Sequence, residues 1–273
     1  PAPDEYSADR DEFLGRYRLS PKNVANESLD TTPEGSLRAD ALATTLKPYV
    51  DSLYPPSSYC LYRLPCPRDW QNGTTTDDPE IQMERLRAKR QAFLELGLPA
   101  SAYIYGIDEP SPEGYPFVRS VYERARQAAP GFPVMQTVNH TIPKELVGTV
   151  DIWCPLSARY DDGTDFYRER QAAGEQLWLY VCCGPKPPYA NFFVDQEGAA
   201  HRVLFWQTWQ AQATGLLYWC MIWWHGMPGP QAEPHFPERM PDFANDLKTY
   251  AQYGVNGDGR SEEHTSELQS PNT

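Results

Sequence analysis

Ala102-Tyr103-Ile104-Tyr105-Gly106-Ile107-Asp108-Glu109-Pro110 is the stretch on which the reading of this chain turns. Its apolar, aromatic first part, 102–107, reads as a strand covered on both faces, and it stops abruptly at two adjacent carboxylates and a proline. Proline disfavours the α conformation of the residue before it, so Glu109 is expected to be extended rather than to open a helix. Both acids then stand at the carboxyl end of a buried strand, where α/β folds place their ligands. Neighbouring side chains of extended backbone point different ways, so the two acids would meet a bound molecule at different atoms. That suits one for proton transfer and the other for orienting a substrate. The alternative is plainer: Asp108 caps the next helix and Glu109 is simply solvated.

Outward from this segment the chain alternates. Near-continuous apolar runs at 59–64, 102–107, 133–138, 150–154, 177–183 and 216–223 read as parallel strands. Helical stretches with clear punctuation lie between them. Asp78-Pro79 opens one and Gly97 closes it, with Arg90 interrupting the apolar stripe of Met83, Leu86 and Phe93. Phe117, Val118, Val121, Tyr122, Ala125 and Ala129 mark the next, stopped by Pro130-Gly131. Further helices are expected at 165–173 and 199–213, and before the first strand at 12–18 and 39–53. Strands alternating with helices imply a parallel α/β fold with right-handed crossovers. No glycine-rich phosphate loop follows any strand, so a (β/α)8 barrel of the TIM type is preferred to a nucleotide-binding open sheet. The barrel is expected to be incomplete at both ends.

The last residues change character without a linker. Residues 260–270, Arg-Ser-Glu-Glu-His-Thr-Ser-Glu-Leu-Gln-Ser, resemble the conceptual translation of a sequencing adapter. The division expected is therefore a truncated catalytic barrel over 1–259 and an artefactual, disordered tail over 260–273. A net charge of −13 repels phosphate backbones and argues against a nucleic-acid partner. No apolar run approaches the roughly 20 residues needed to span a bilayer. Of the six cysteines, Cys154, Cys182, Cys183 and Cys220 lie in apolar runs and are expected to be buried thiols. Cys60 and Cys66 could pair in an oxidising compartment.

Strand ends gather aromatic and polar groups: Trp153, Tyr180, Trp219, Trp223 and Trp224, with Asn139, His140 and His225 nearby. Sugars present flat apolar faces rimmed by hydroxyls, so aromatic platforms with a few converging polar groups suit a glycan pocket. About half of these rings are expected to be ordinary core. His140, His225 and His235 show no metal-ligand pairing and no serine-hydrolase elbow occurs, so neither metal nor cofactor is expected.

Tyr105-Gly106-Ile107-Asp108-Glu109-Pro110, Val150-Asp151-Ile152-Trp153-Cys154-Pro155 and 177–185 occur in that order, followed by Arg202-Val203-Leu204-Phe205-Trp206 and Thr214-Gly215-Leu216-Leu217-Tyr218-Trp219. Together they resemble the catalytic barrel of glycoside hydrolase family 123 and the wider group filed as domain of unknown function 4091, over about residues 13–259. The resemblance implies a retaining, exo-acting β-N-acetylgalactosaminidase or related N-acetylhexosaminidase. It further implies substrate-assisted catalysis, in which the 2-acetamido group is the nucleophile, Glu109 the general acid/base and Asp108 the residue that orients the acetamide. It also implies a glycan partner and an N-terminal β-sandwich domain missing from this chain, while the strand-end clustering offers Asn139, Trp153, Tyr180, Trp219 and Trp224 as sugar contacts. Two alternatives stay open. One is a double-displacement glycosidase, with Asp151 the nearest second carboxylate by topology; the other is a carbohydrate-binding or structural barrel without turnover.

Overall fold

The computed structural model describes residues 15–20, 39–51, 57–62, 79–98, 102–193 and 196–218. The elements run α1 (Ala39–Val50), β1 (Tyr59–Tyr62), α2 (Pro79–Glu95), β2 (Ala102–Tyr105), α3 (Tyr115–Ala128), β3 (Val134–Val138) and β4 (Ile152–Pro155). There follow α4 (Ser157–Asp162), α5 (Thr164–Ala172), β5 (Gln176–Val181), α6 (Gly198–Gln210) and β6 (Gly215–Tyr218). Among the described residues helices and strands thus alternate as the apolar runs predict. Two compact units divide at Trp153/Cys154.

In the first unit β1 pairs with β2, and β2 with β3, all parallel. Tyr59 lies beside Ala102, Ile104 beside Val134 and Tyr105 beside Met135. Every residue of β2 and β3 is buried, which explains their unbroken apolar reading. Helix α2 turns Met83, Leu86, Ala92 and Phe93 inward, and Phe93 meets the edge of the Tyr59 ring at 5.3 Å. Arg90, which interrupts the apolar stripe, donates from Nε to the Pro130 carbonyl, 3.2 Å away. It is Lys89, one residue earlier, that is buried. The desolvation of its ammonium pulls its pKa down to about 8. Gly97 ends this helix at φ +70, a conformation that a side chain would oppose, while the Leu98 N–H returns to the Phe93 carbonyl at 2.9 Å. Helix α3 buries Tyr115, Val118, Tyr122, Ala125 and Ala128 along one stripe.

In the second unit β5 and β6 are parallel, with Trp178 beside Gly215 and Val181 beside Tyr218. The glycine is required there: a Cβ at 215 would lie 2.4 Å from Cδ2 of the Trp178 indole. Val181, Ala190, Phe192 and Leu204 form a small core, and Phe192 packs edge-on to Tyr218 at 5.0 Å. Helix α6 turns His201 and Leu204 inward and leaves Trp206 and Trp209 largely exposed. No described helix is long and apolar enough to cross a membrane.

The expected helix at 12–18 is described only from residue 15, and Cys66 and Cys220 lie outside the described residues, as does the whole of 219–273. Cys154 is buried as expected and Cys60 is also buried, but Cys182 is half-buried and Cys183 exposed. The reason is that β5 ends at Val181, so both thiols sit on a loop rather than in the strand.

Candidate active site

Asp108 and Glu109 follow the carboxyl end of β2 through Gly106 and Ile107, and both are half-buried. The backbone of this exit is tied down by side chains that strands and helices bring to it. The Tyr122 hydroxyl, carried on α3, accepts the Gly106 and Ile107 N–H groups, each at 3.3 Å. That hydroxyl lies 3.0 Å from the Met135 carbonyl and 2.9 Å from Gln136 Oε1, either of which can take its proton. Gln136 in turn donates from Nε2 to the carbonyls of Ile107 and Thr137, both at 2.9 Å. Buried polar groups are costly unless satisfied, so these bonds fix the path of the chain into the acid pair.

Thr137 does the closer work. Its hydroxyl accepts the Glu109 N–H at 2.9 Å and donates to Asp108 Oδ1 at 3.2 Å. Tyr105 donates its hydroxyl to the same carboxylate oxygen and lies 3.1 Å from Thr137 Oγ1. Burial, reinforced by the Asp108 charge and hydrogen bond, pushes the Tyr105 phenol well above its ordinary value of 10.0. It therefore remains a proton donor to Asp108 across the neutral range. Asn139, just past the end of β3, donates from Nδ2 to Glu109 Oε2 at 3.2 Å. The Asp108 carboxylate is thus oriented by two hydroxyls and the Glu109 carboxylate by an amide.

The backbone at Glu109 departs from the expectation. It is not extended but stands at φ +43, on the left-handed side that non-glycine residues seldom visit. The proline restriction acts on the right-handed α region, and it leaves this escape open when the surroundings enforce it. Here the Thr137 hydroxyl, by capturing the Glu109 N–H, supplies one enforcing contact. Such conformations cost of order 1–3 kcal/mol and cluster at functional sites.

Asp151 does not join the pair. Its carboxylate receives Arg126 Nη2 at 2.7 Å and the Val134 N–H at 2.8 Å, at the starting end of β3. Glu109 is bonded at Thr137, three residues further along that strand, roughly 10 Å away at about 3.3 Å per residue. Asp151 is a tie between α3 and β3, at the opposite end of the strand from the acids.

Of the other expected sugar contacts, Trp153 in β4 and Tyr180 in β5 are buried, at 1% and 4% exposure. His140 is exposed. Trp219, Trp224, His225 and His235 lie outside the described residues. Sequence reasoning missed Tyr105, Thr137 and Gln136. The signal was present as two adjacent polar residues, Gln136-Thr137, within an otherwise apolar strand; buried polar groups need partners, and the acid-bearing turn is where these find them.

An α/β chain whose strand exit presents a braced carboxylate pair is the class that fold and site define. Residues 80–243 match the model of the glycoside hydrolase 123 catalytic domain, and the chain belongs to that family. Among solved structures it is similar to a family 123 glycoside hydrolase from Clostridium perfringens, at 18% identity and a TM-score of 0.43, covering 54% of this chain and 26% of that one. It is also similar to a glycerophosphodiester phosphodiesterase from Parabacteroides distasonis, at 10% identity and a TM-score of 0.43, covering 78% and 84%. A family 2 glycosyl hydrolase from Bacteroides cellulosilyticus follows at 12% identity and a TM-score of 0.39, covering 66% and 22%. The chain thus spans about a quarter of the length of the family 123 structure. No curated protein sequence matches it.

Proposed function

We propose that this chain is the catalytic part of a glycoside hydrolase, a retaining, exo-acting β-N-acetylgalactosaminidase or related N-acetylhexosaminidase. Glu109 protonates the leaving oxygen, then deprotonates the water that completes hydrolysis. Asp108 holds the 2-acetamido N–H, so that the acetamide oxygen attacks the anomeric carbon, and stabilises the positive charge of the oxazolinium intermediate. The carrying observation is that each of two adjacent acids is braced by its own polar partners: Tyr105 and Thr137 on Asp108, Asn139 on Glu109. Such preorganisation is what charge stabilisation in a transition state requires. The position of Asp151, committed to Arg126 at the other strand end, disfavours double displacement through that residue. Family membership supports a barrel of the (β/α)8 type and a glycan partner; the strand-end position of Asn139, Trp153, Tyr180, Trp219 and Trp224 in the sequence is what offers them as sugar contacts.

Turnover of aryl N-acetyl-β-galactosaminide and -glucosaminide, beside the matching sugars without the acetamido group, tests the reading. Substrate assistance predicts that only the acetamido sugars are cleaved, and that a thiazoline mimic of the intermediate binds far more tightly than N-acetylgalactosamine. Equal binding of the two would remove substrate assistance. Glycan binding that survives Glu109→Gln, with no turnover by the unmodified chain, would leave a binding module.

A further inference from the structure

The acid pair makes no use of the two adjacent thiols at the exit of β5. Adjacent side chains on extended backbone point to opposite faces, which would keep neighbouring sulfurs apart. The strand ends at Val181, and the chain then bends so that the Cys182 N–H reaches the Gly184 carbonyl at 2.8 Å. That bend brings Cys182 Sγ and Cys183 Sγ to 3.9 Å, with Cys183 exposed and Cys182 half-buried. The loop holding them is anchored from beneath. Asn191, fully buried, donates from Nδ2 to the carbonyls of Cys182 and Pro185, at 3.0 and 3.1 Å. Its Oδ1 accepts the Phe192 N–H at 2.7 Å, and its own N–H goes to Gln196 Oε1 at 2.9 Å. The sulfurs are therefore presented together on a fixed base, with one open to reagents.

We propose that Cys182 and Cys183 are a reversible modification site, closing to a vicinal disulfide by exchange with a small-molecule disulfide such as oxidised glutathione. The Cys183 thiolate attacks one glutathione sulfur and expels the first glutathione thiolate. The Cys182 thiolate then attacks Cys183 Sγ in the mixed disulfide and expels the second. One S–S bond is broken and one formed; the two protein thiols are oxidised, glutathione disulfide is reduced, and both protons pass to the released thiolates. Closure needs the sulfurs to approach from 3.9 Å to about 2.0 Å, within reach of side-chain rotation and a small loop adjustment. Adjacent Cα atoms are only about 3.8 Å apart, shorter than an ordinary bridge prefers, so the ring is strained and easily reopened. A bond of that kind is labile and regulatory rather than structural. This inference stands apart from the glycosidase reading.

The test equilibrates the full chain in glutathione buffers from reduced to oxidised, quenches by denaturing in alkylating agent, and digests with trypsin. Residues 171–202 leave as one peptide, because Lys186 precedes a proline, and this peptide holds no cysteine but the pair. In wild type the doubly alkylated peptide should give way, in one step, to an unalkylated peptide lighter by two hydrogens. Cys182→Ser and Cys183→Ser should never yield the lighter form. A wild-type peptide that accumulates glutathione adducts, links two chains together, or stays alkylated in the oxidised buffer would overturn the proposal. Cys60 and Cys154, both buried, should resist alkylation before denaturation and so report that each variant is folded.

Discussion

Replacing Thr137 by valine removes one hydroxyl without opening space, because the two side chains are nearly the same shape and the site is buried. Three contacts go with it: the Glu109 N–H loses its acceptor, Asp108 loses a donor, and the Tyr105 hydroxyl loses its neighbour. A half-buried donor left unsatisfied costs about 1–3 kcal/mol. The left-handed turn at Glu109, itself worth about 1–3 kcal/mol against the chain, then lacks the contact that holds it. Each 1.36 kcal/mol is a factor of ten in a population or a rate, so the poised Glu109 should be depleted by about ten- to a hundredfold. Thr137→Val is therefore expected to lower unfolding stability by about 1–3 kcal/mol in urea. It should also reduce kcat on an aryl N-acetyl-β-galactosaminide by about one to two orders of magnitude, with a smaller change in KM. Wild-type stability together with wild-type kcat would refute the reasoning. Lost stability with unchanged kcat would keep the structural role of Thr137 and discard its role in positioning the acids.

Tyr105→Phe should lower kcat while leaving the fold cooperative, since one of the two hydroxyls on Asp108 Oδ1 remains; kinetics at saturating substrate against a urea melt separates the two effects. Gly215→Ala should destabilise by about 1–3 kcal/mol through the clash with the Trp178 indole, and recover part of that loss when combined with Trp178→Leu, as a double-mutant cycle would show. Because the folded pKa of Lys89 lies near 8, below its ordinary 10.5, the unfolded chain binds more protons in between; stability should rise from about pH 8 to 10.5, and Lys89→Met should flatten that rise and stabilise the protein at pH 7. Tyr59 has the opposite sign: its folded pKa, raised by burial to about 12, makes its contribution complete below about pH 10 and lost as pH climbs from 10 to 12, and denaturant melts across that window with Tyr59→Phe as control should show the loss shrink.

The alternation of buried parallel strands and punctuated helices was legible because each signal is local. Pro79 and Gly97 bracket α2, and the unbroken apolar runs of β2 and β3 require cover on both faces. The acid pair was legible for the same reason, as a strand that stops at charge. What escaped was whatever depends on a residue far along the chain. Thr137 is 28 positions from Glu109, and only the parallel register of β2 and β3 brings them together. Without that contact the rule for residues before proline leads to an extended Glu109, and topology makes Asp151 look like a neighbour. In the same way the apolar flavour of 177–183 concealed a strand that ends at Val181, leaving one thiol in solvent.

The turn at Glu109 bears on how this protein should be engineered. A glycine there would adopt φ +43 without side-chain strain, and the Thr137 bond to the backbone N–H would survive the change. The stiffer unfolded chain of the original offsets part of that relief, yet the local geometry favours a residue with no carboxylate. Selection by thermal challenge or expression yield would then enrich substitutions at 109, which on the proposed mechanism silence proton transfer, the familiar opposition of stability and activity concentrated in one residue. A library meant to harden this scaffold should hold position 109 fixed and seek its gains around α2 instead, where the buried Lys89 ammonium is costly.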